Sequence, residues 1–288
     1  MITSKIKQII QIALSEDKVS RDKTTHLVIP AEEKGKAAII AKEKGILCGT
    51  EIVRFIFKKI DKETKIKFFA KDADLVHKNE KVAIISGNLQ TILKAERVAL
   101  NFLSLLSGVA TVTRLFIDKI KKTKVVIKDT RKTTPGLREL EKYAVLVGGG
   151  KNHRCNLAEG IIIKDNHLKA VAIVSKKNKV NHKRLKAAME NLRKKTKFPI
   201  EIEVETFQEF IEVARHHPDI IMLDNFSKKN LIKAVGHRNK YFPKIELEAS
   251  GGISLKNIER VSSTGVDSIS IGSITHSPNA LDFSLELV

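Results

Sequence analysis

The stretch Ile200-Glu201-Ile202-Glu203-Val204-Glu205 decides how this chain folds. Its residues alternate between apolar and acidic. Strand side chains point to opposite faces in turn, so one face of this strand is apolar and the other carries carboxylates. The pattern recurs in Ile245-Glu246-Leu247-Glu248-Ala249. Strands of an open doubly wound sheet are covered on both faces and read apolar throughout. Two strands with a carboxylate-lined face instead fit a barrel-like sheet with helices outside and a polar interior. The competing reading, a half-exposed strand with solvated glutamates, has to explain why the pattern occurs twice in one series.

That series fills the chain after Lys124. Short apolar runs stand at 125–127, 161–163, 200–204, 220–223, 245–249 and 268–271, with helical patterns between most of them, as at 185–192, 207–214 and 255–261. Repeated strand–helix units predict a parallel sheet. Carboxylates inside it need cationic partners, and Lys128 and Lys164, also at strands, are the candidates. The first third reads as α+β. It has a helical stripe over 2–14, a loop over 16–26, strands at 37–41 and 82–85, and a helix over 51–60. A long helical pattern over 89–120 is interrupted at Gly108.

The chain has 288 residues, 42 % of them hydrophobic, which is enough for a core and excludes wholesale disorder. Fifty-three Lys and Arg against 33 Asp and Glu give +20, a balance that suits an anionic partner or simply a soluble surface. The absence of Trp and the presence of only two Tyr argue against a stacking platform for single-stranded nucleic acid. Cys48 and Cys155 lack metal-ligand spacing and read as reduced thiols of a cytoplasmic protein. The lysine-bearing N-terminus does not read as a signal peptide, and no uninterrupted apolar run is long enough for a membrane span.

Active sites of parallel barrels lie at the C-terminal ends of the strands. Those ends carry Lys128-Asp129-Thr130-Arg131-Lys132, Lys164-Asp165-Asn166-His167, Glu203 with Glu205, Asp224-Asn225, Ser250-Gly251-Gly252 and Gly272-Ser273. Arginine forks hold carboxylates and phosphates, and lysine adds a point charge. Gly/Ser turns let backbone N–H groups approach a phosphate. Acids on neighbouring strands suit magnesium, through water and substrate oxygens. Together the rim describes a site for a phosphorylated, metal-chelating ligand and a second, carboxylated one. Gly148-Gly149-Gly150-Lys151 fails the nucleotide-loop pattern, because Val145 and Asn152 occupy its Gly and Ser/Thr positions.

These motifs resemble the quinolinate phosphoribosyltransferases. The resemblance is carried by Glu96-Arg97-Val98-Ala99-Leu100-Asn101, by Asp129-Thr130-Arg131-Lys132-Thr133-Thr134-Pro135-Gly136, and by Glu141-Lys142-Tyr143-Ala144. Further matches are Gly148 to Arg154, Ile163 to His167, Glu201 to Glu205, Leu223-Asp224-Asn225, Glu248 to Ile253 and Gly272 to Ser277. It implies an N-terminal α/β sandwich domain over 1–108, joined by the tail 276–288, and an incomplete α/β barrel over 109–275. It also implies a homodimer with shared sites; from the sequence itself, which carries no nucleic-acid recognition motif and no apolar run of membrane length, neither nucleic acid nor membrane is expected as a partner.

The implied reaction takes quinolinate and phosphoribosyl pyrophosphate to nicotinate mononucleotide, pyrophosphate and carbon dioxide, with magnesium, in NAD synthesis. Carried over, Arg131, Lys132, His153, Arg154 and Lys164 match the basic pocket for quinolinate and neighbouring phosphate. Arg97 matches the arginine that reaches the partner's site. Glu203 and Asp224 match the acidic pair at the ribose and, indirectly, the metal. Ser250, Gly251, Gly252, Gly272 and Ser273 match the turns at the 5′-phosphate, while Thr130 and Ile271 complete the substrate-binding set. Lys132, Glu203 and Asp224 are the catalytic candidates. The alternatives are a phosphoribosyltransferase acting on another ring acid without decarboxylation, and a nucleic-acid binder, which the acidic strands oppose.

Overall fold

The computed structural model describes residues 2–171, 173 and 180–288. The chain opens with α1 (Ser4–Glu16), a single 3-10 turn at Val19–Arg21, α2 (Lys23–Val28), β1 (Lys34–Ala41), β2 (Gly45–Ile46) and α3 (Thr50–Ile60). It continues with β3 (Lys65–Phe68), β4 (Leu75–Val76), β5 (Lys81–Asn88) and α4 (Leu89–Ile120). Then come β6 (Val126–Lys128), α5 (Arg138–Val147), β7 (Ile161–Ile163), α6 (Asp165–Ala170), α7 (His182–Lys195), β8 (Ile200–Val204) and α8 (Phe207–Ala214). Last are β9 (Ile220–Asp224), α9 (Lys228–Tyr241), β10 (Glu246–Ser250), α10 (Ile258–Ser262), β11 (Ser268–Ser270), α11 (Ser273–His276) and β12 (Phe283–Leu287).

Two compact units result. The first gathers Met1–Arg114, Lys132–Gly150 and Ser273–Val288; the second gathers Leu115–Arg131 and Lys151–Gly272.

In the first unit the sheet runs β12-β1-β5-β3, antiparallel throughout. Its core takes Ala37, Ala38, Ile39 and Ile85 from the sheet, Val53, Ile56 and Phe57 from α3, and Leu103 and Leu106 from α4, all fully buried. Two expectations need correction here. Within the expected loop over 16–26, residues 23–26 belong to a helix, because Asp22 caps α2 by accepting the Thr25 N–H at 3.0 Å. Nor does Gly108 interrupt the long helix: α4 is continuous over 32 residues. A side chain at Gly108 would run into the Asn279 carbonyl, so the glycine admits a passing backbone rather than ending the helix. By length and composition α4 could cross a bilayer, yet 56 % of its most apolar window is buried inside the protein, as in a core helix.

In the second unit six parallel strands run β6-β11-β10-β9-β8-β7. Read as a ring, the order follows the chain, but among the described residues no ladder joins β6 to β7. The free edge of β6 has only an isolated bridge, Lys128 to Lys151. The barrel is therefore open.

The register fixes its two faces. One carries Ile200, Ile202, Ile221, Leu223, Leu247 and Ile269, all fully buried, with Val204 at 2 % exposure. The other carries Lys128, Glu201, Glu203, Met222, Asp224, Glu248, Ser250, Ser268 and Ser270, which the ladders align side by side. Side chains on this second face meet across intervening strands: Lys128 of β6 reaches Glu248 of β10 over β11. Only a concave face allows that, so the charged face is the interior.

Candidate active site

The interior charges are paired as their burial demands. Lys128 Nζ lies 2.6 Å from Glu248 Oε2, and Lys164 Nζ 2.8 Å from Glu203 Oε2. Both lysines are the partners expected from the strands. His153 Nε2 stands 3.1 Å from Glu201 Oε2 and 3.5 Å from Glu248 Oε1. Ser268 Oγ donates to Glu248 Oε2 at 3.1 Å.

Burial, above all, pushes the Glu201 carboxyl above the usual range, against the His153 hydrogen bond. Burial also works most strongly on His153, lowering its proton affinity. The Glu201 hydrogen bond and the Glu248 and Glu201 charges outweigh it, so the ring lies above its ordinary value. The second proton, however, has to go to Nδ1, where the Arg154 backbone N–H already donates at 2.9 Å. The geometry holds the ring in its Nε2-protonated form.

Arg154 and His153 line a cavity of about 200 Å³ with Lys128, Glu201, Ile162 and Phe198. Arg154 Nη1 donates to Gly160 O at 3.0 Å, while its Nε is buried with no hydrogen-bond partner. Burial and then the positive charge of Arg131 lower the Arg154 pKa. Arg154, lining the cavity and repelled by the charge of Arg131, favours an anion beside it.

Asp224 ends β9 half-buried and accepts from Asn225 Nδ2 at 2.9 Å. Glu203 pairs with Met222 in the ladder, so Asp224 stands two residues further along the same interior face. Ser250 pairs with Asp224. The turn beyond is shaped by glycine. Gly251 has φ +90°, and a side chain there would collide with Asn225. Gly252 has φ +59°, and a side chain there would meet nothing within 4 Å. Its backbone lies open to a ligand. Ile271 is 2 % exposed, and its N–H donates to Lys128 O at 2.9 Å, leading into Gly272.

Thr130, Arg131, His153, Arg154, Lys164, Glu203, Asp224, Ser250, Gly251, Gly252, Ile271 and Gly272 thus belong to the second unit. Arg97, Lys132 and Ser273 belong to the first. Arg97 projects from α4 with its side chain 64 % exposed, 3.6 Å from Glu96, and lines a groove with Ile9, Asn101, Phe102 and Pro135. Lys132 is exposed, and its carbonyl accepts from Thr275 Oγ1 at 2.7 Å. The Gly148-Gly149-Gly150 run closes α5: a side chain at Gly148 would meet Ala110 O at 2.6 Å, so tight packing on α4 accounts for that glycine. Glu201 and Glu248 were absent from the candidate site. The alternation that revealed the interior was their signal.

An open parallel barrel with a charged interior, a buried arginine at a cavity and an open glycine turn at its strand ends suits the class of enzymes that act on acidic small molecules. Comparison with known proteins narrows that class. Residues 22–107 match the N-terminal domain of quinolinate phosphoribosyl transferase, and residues 109–286 match its C-terminal domain. The chain therefore belongs to the quinolinate phosphoribosyltransferase family.

A probable nicotinate-nucleotide pyrophosphorylase (carboxylating) of Bacillus subtilis is 38 % identical over 283 residues, covering 98 % of this chain and 93 % of that one. A mitochondrial quinolinate phosphoribosyltransferase (decarboxylating) of Nicotiana glauca is 37 % identical, covering 99 % and 83 %. The solved nicotinate-nucleotide pyrophosphorylase of Ehrlichia chaffeensis superposes with a TM-score of 0.89 at 37 % identity, covering both chains completely.

Proposed function

We propose that this chain transfers the phosphoribosyl group of phosphoribosyl pyrophosphate to quinolinate with loss of carbon dioxide, giving nicotinate mononucleotide and pyrophosphate for NAD synthesis. The activity is that of a nicotinate-nucleotide diphosphorylase (carboxylating), a pentosyltransferase. The observation that carries the reading is the Arg154 guanidinium, its buried Nε unpartnered, beside the Arg131 charge and a small cavity. A planar guanidinium in that state matches a carboxylate fork. A dicarboxylate asks for two such positions, and Arg131, Arg154, Lys132 and Lys164 supply the cations.

The residues divide the chemistry as follows. Departure of pyrophosphate from C1 leaves positive charge on the ribose, which Glu203 and Asp224 stabilise from the interior face. The quinolinate nitrogen attacks C1. Its new positive charge accepts the electron pair left when the adjacent carboxylate departs as carbon dioxide, and a proton replaces that group. Lys132 acts near the departing carboxylate. Thr130, Ser250, Gly251, Gly252, Ile271, Gly272 and Ser273 hold the substrate through backbone and hydroxyl groups.

Glu203 and Asp224 offer the hard oxygen donors that magnesium takes with water and substrate oxygens, so the donor set fits that ion. When bound, magnesium neutralises charge on the departing pyrophosphate. Arg97, exposed on α4, completes the site of a second copy in a homodimer. Reduced cysteines and the buried Cys48, whose thiol burial pushes up, fit the cytoplasm; the plant relatives are named for mitochondria or chloroplasts. The direct test is turnover of quinolinate and phosphoribosyl pyrophosphate with and without a chelator. The expected result is turnover only with magnesium; turnover indifferent to the chelator overturns the metal assignment.

A further inference from the structure

The interior carboxylates outside the acidic pair do more than neutralise lysines. Glu248 is fully buried and gathers Lys128 Nζ, Ser268 Oγ and His153 Nε2. Glu201, 3 % exposed, takes the shorter contact to the same imidazole nitrogen. On the ring's other side the Arg154 amide donates to Nδ1. An amide only donates, so Nδ1 is bare and Nε2 carries the proton. The His153 backbone is tied as well: its N–H donates to Asp129 Oδ1 at 2.8 Å, and Asp129 is fully buried.

The same tautomer argues against a metal between His153, Glu201 and Glu248, although one ligand atom of each lies within 4.8 Å of the others. Binding a cation at Nε2 would require both ring nitrogens to act as acceptors, and a neutral imidazole has only one. Lys128 adds a positive charge against it.

We propose that Glu201 and Glu248 are positioning residues for the transfer reaction, holding the His153 ring so that its Nδ1 fixes the Arg154 backbone, and with it the guanidinium, at the substrate carboxylate. The inference rests on the reading of Arg154 as a quinolinate contact. Its physical basis is a chain of directional bonds anchored in a buried floor. Glu201 fixes Nε2–H, the ring plane follows, and the ring's far side receives the amide of the residue that carries the cation. Removing the Glu201 acceptor strands a buried donor and releases the ring to turn. Arg154 then keeps its charge but loses its aim. Such a defect weakens ground-state and transition-state binding alike, so it falls on KM for quinolinate.

The test compares Glu201→Gln, Glu201→Leu and Glu248→Gln with the wild type. Kinetics are measured with each substrate varied, melting curves confirm folding, and ¹⁵N NMR reads the His153 ring. Glu201→Leu is expected to raise KM for quinolinate at least about tenfold while kcat and KM for phosphoribosyl pyrophosphate stay within about threefold. Glu201→Gln keeps a carbonyl acceptor for Nε2–H and is expected to recover most of that loss. Glu248→Gln, which leaves Glu201 in place, is expected to show the same KM-specific defect in smaller measure. The wild-type ring is expected to show a bare Nδ1 and a protonated Nε2.

An unchanged quinolinate KM in folded Glu201→Leu overturns the proposal. So does an equal loss in the Gln and Leu variants, which would indicate charge rather than position. Should Glu201→Leu not fold, the wild-type ring decides: a proton on Nδ1 overturns the proposal. A wild type that ignores quinolinate fails the functional reading instead, before any variant is compared.

Discussion

The two sheets of this molecule use the same strand geometry for opposite purposes. The antiparallel sheet of the first unit buries Ala37, Ala38, Ile39 and Ile85 and holds no buried ionic pair among the described residues. The parallel sheet of the second buries Glu201, Glu203 and Glu248 beside its aliphatic face. Burying a carboxylate is costly unless it is paired, and replacing a whole buried ion pair by apolar side chains is often neutral or stabilising, although removing one partner alone strands the other. The interior of the second sheet is therefore better explained by chemistry than by folding. Substitutions in the first sheet should act on stability and leave the chemistry alone, whereas isosteric substitutions on the charged face of the second should act first on the chemistry.

Arg97 breaks this division, because it stands in the first unit yet is assigned to substrate binding in the site of a second copy. Arg97→Ala should nearly abolish turnover, by about a hundredfold or more, with the melting temperature unchanged, since an exposed charge contributes little to stability. Mixing it with Lys164→Ala should restore activity through a mixed dimer with one intact site. Failure to complement after verified subunit exchange would place Arg97 in its own subunit's service or in none.

Ile39→Ala sharpens the first half of the comparison. It removes a fully buried side chain, which should cost about 2–5 kcal/mol in denaturant unfolding with both KM values retained. Asp224→Asn is the complementary change in the second sheet. It should lower kcat about tenfold or more, equivalent to ~1.4 kcal/mol, with quinolinate KM little changed. A raised KM at unchanged kcat would give Asp224 a binding role instead. The smallest effect is expected at Asp22→Ala, which removes the cap of α2 and should cost about 1 kcal/mol of stability and no activity.

Much of this was legible in the chain because strand alternation reports directly on burial. Glu201, Glu203 and Glu248 announced an interior face, and Lys128 and Lys164 proved to be two of its cations, whereas Glu246, at the start of β10, is exposed as a solvated glutamate would be. The misreadings have physical causes. A glycine inside a helix looks the same whether it ends the helix or admits a neighbouring backbone, so Gly108 was mistaken for a break. The six residues of α2 are too few to show periodicity, and only the Asp22–Thr25 spacing marks their start. The His153 contacts to Glu201 and Glu248 join a loop residue to two strands far from it in sequence. No local pattern encodes which carboxylate a histidine will meet. For that reason the family resemblance points to His153 as a substrate contact and passes over the acids that hold its ring.

The central claim is that the charged interior serves a decarboxylating transfer. It is tested most directly by quinolinate labelled at its 2-carboxyl group, incubated with phosphoribosyl pyrophosphate and magnesium, with labelled carbon dioxide and nicotinate mononucleotide measured together and nicotinate offered as the competing acceptor. The account predicts one carbon dioxide per nucleotide formed and negligible use of nicotinate. Nucleotide formed from nicotinate at an equal rate, or from quinolinate with the label retained, would contradict it.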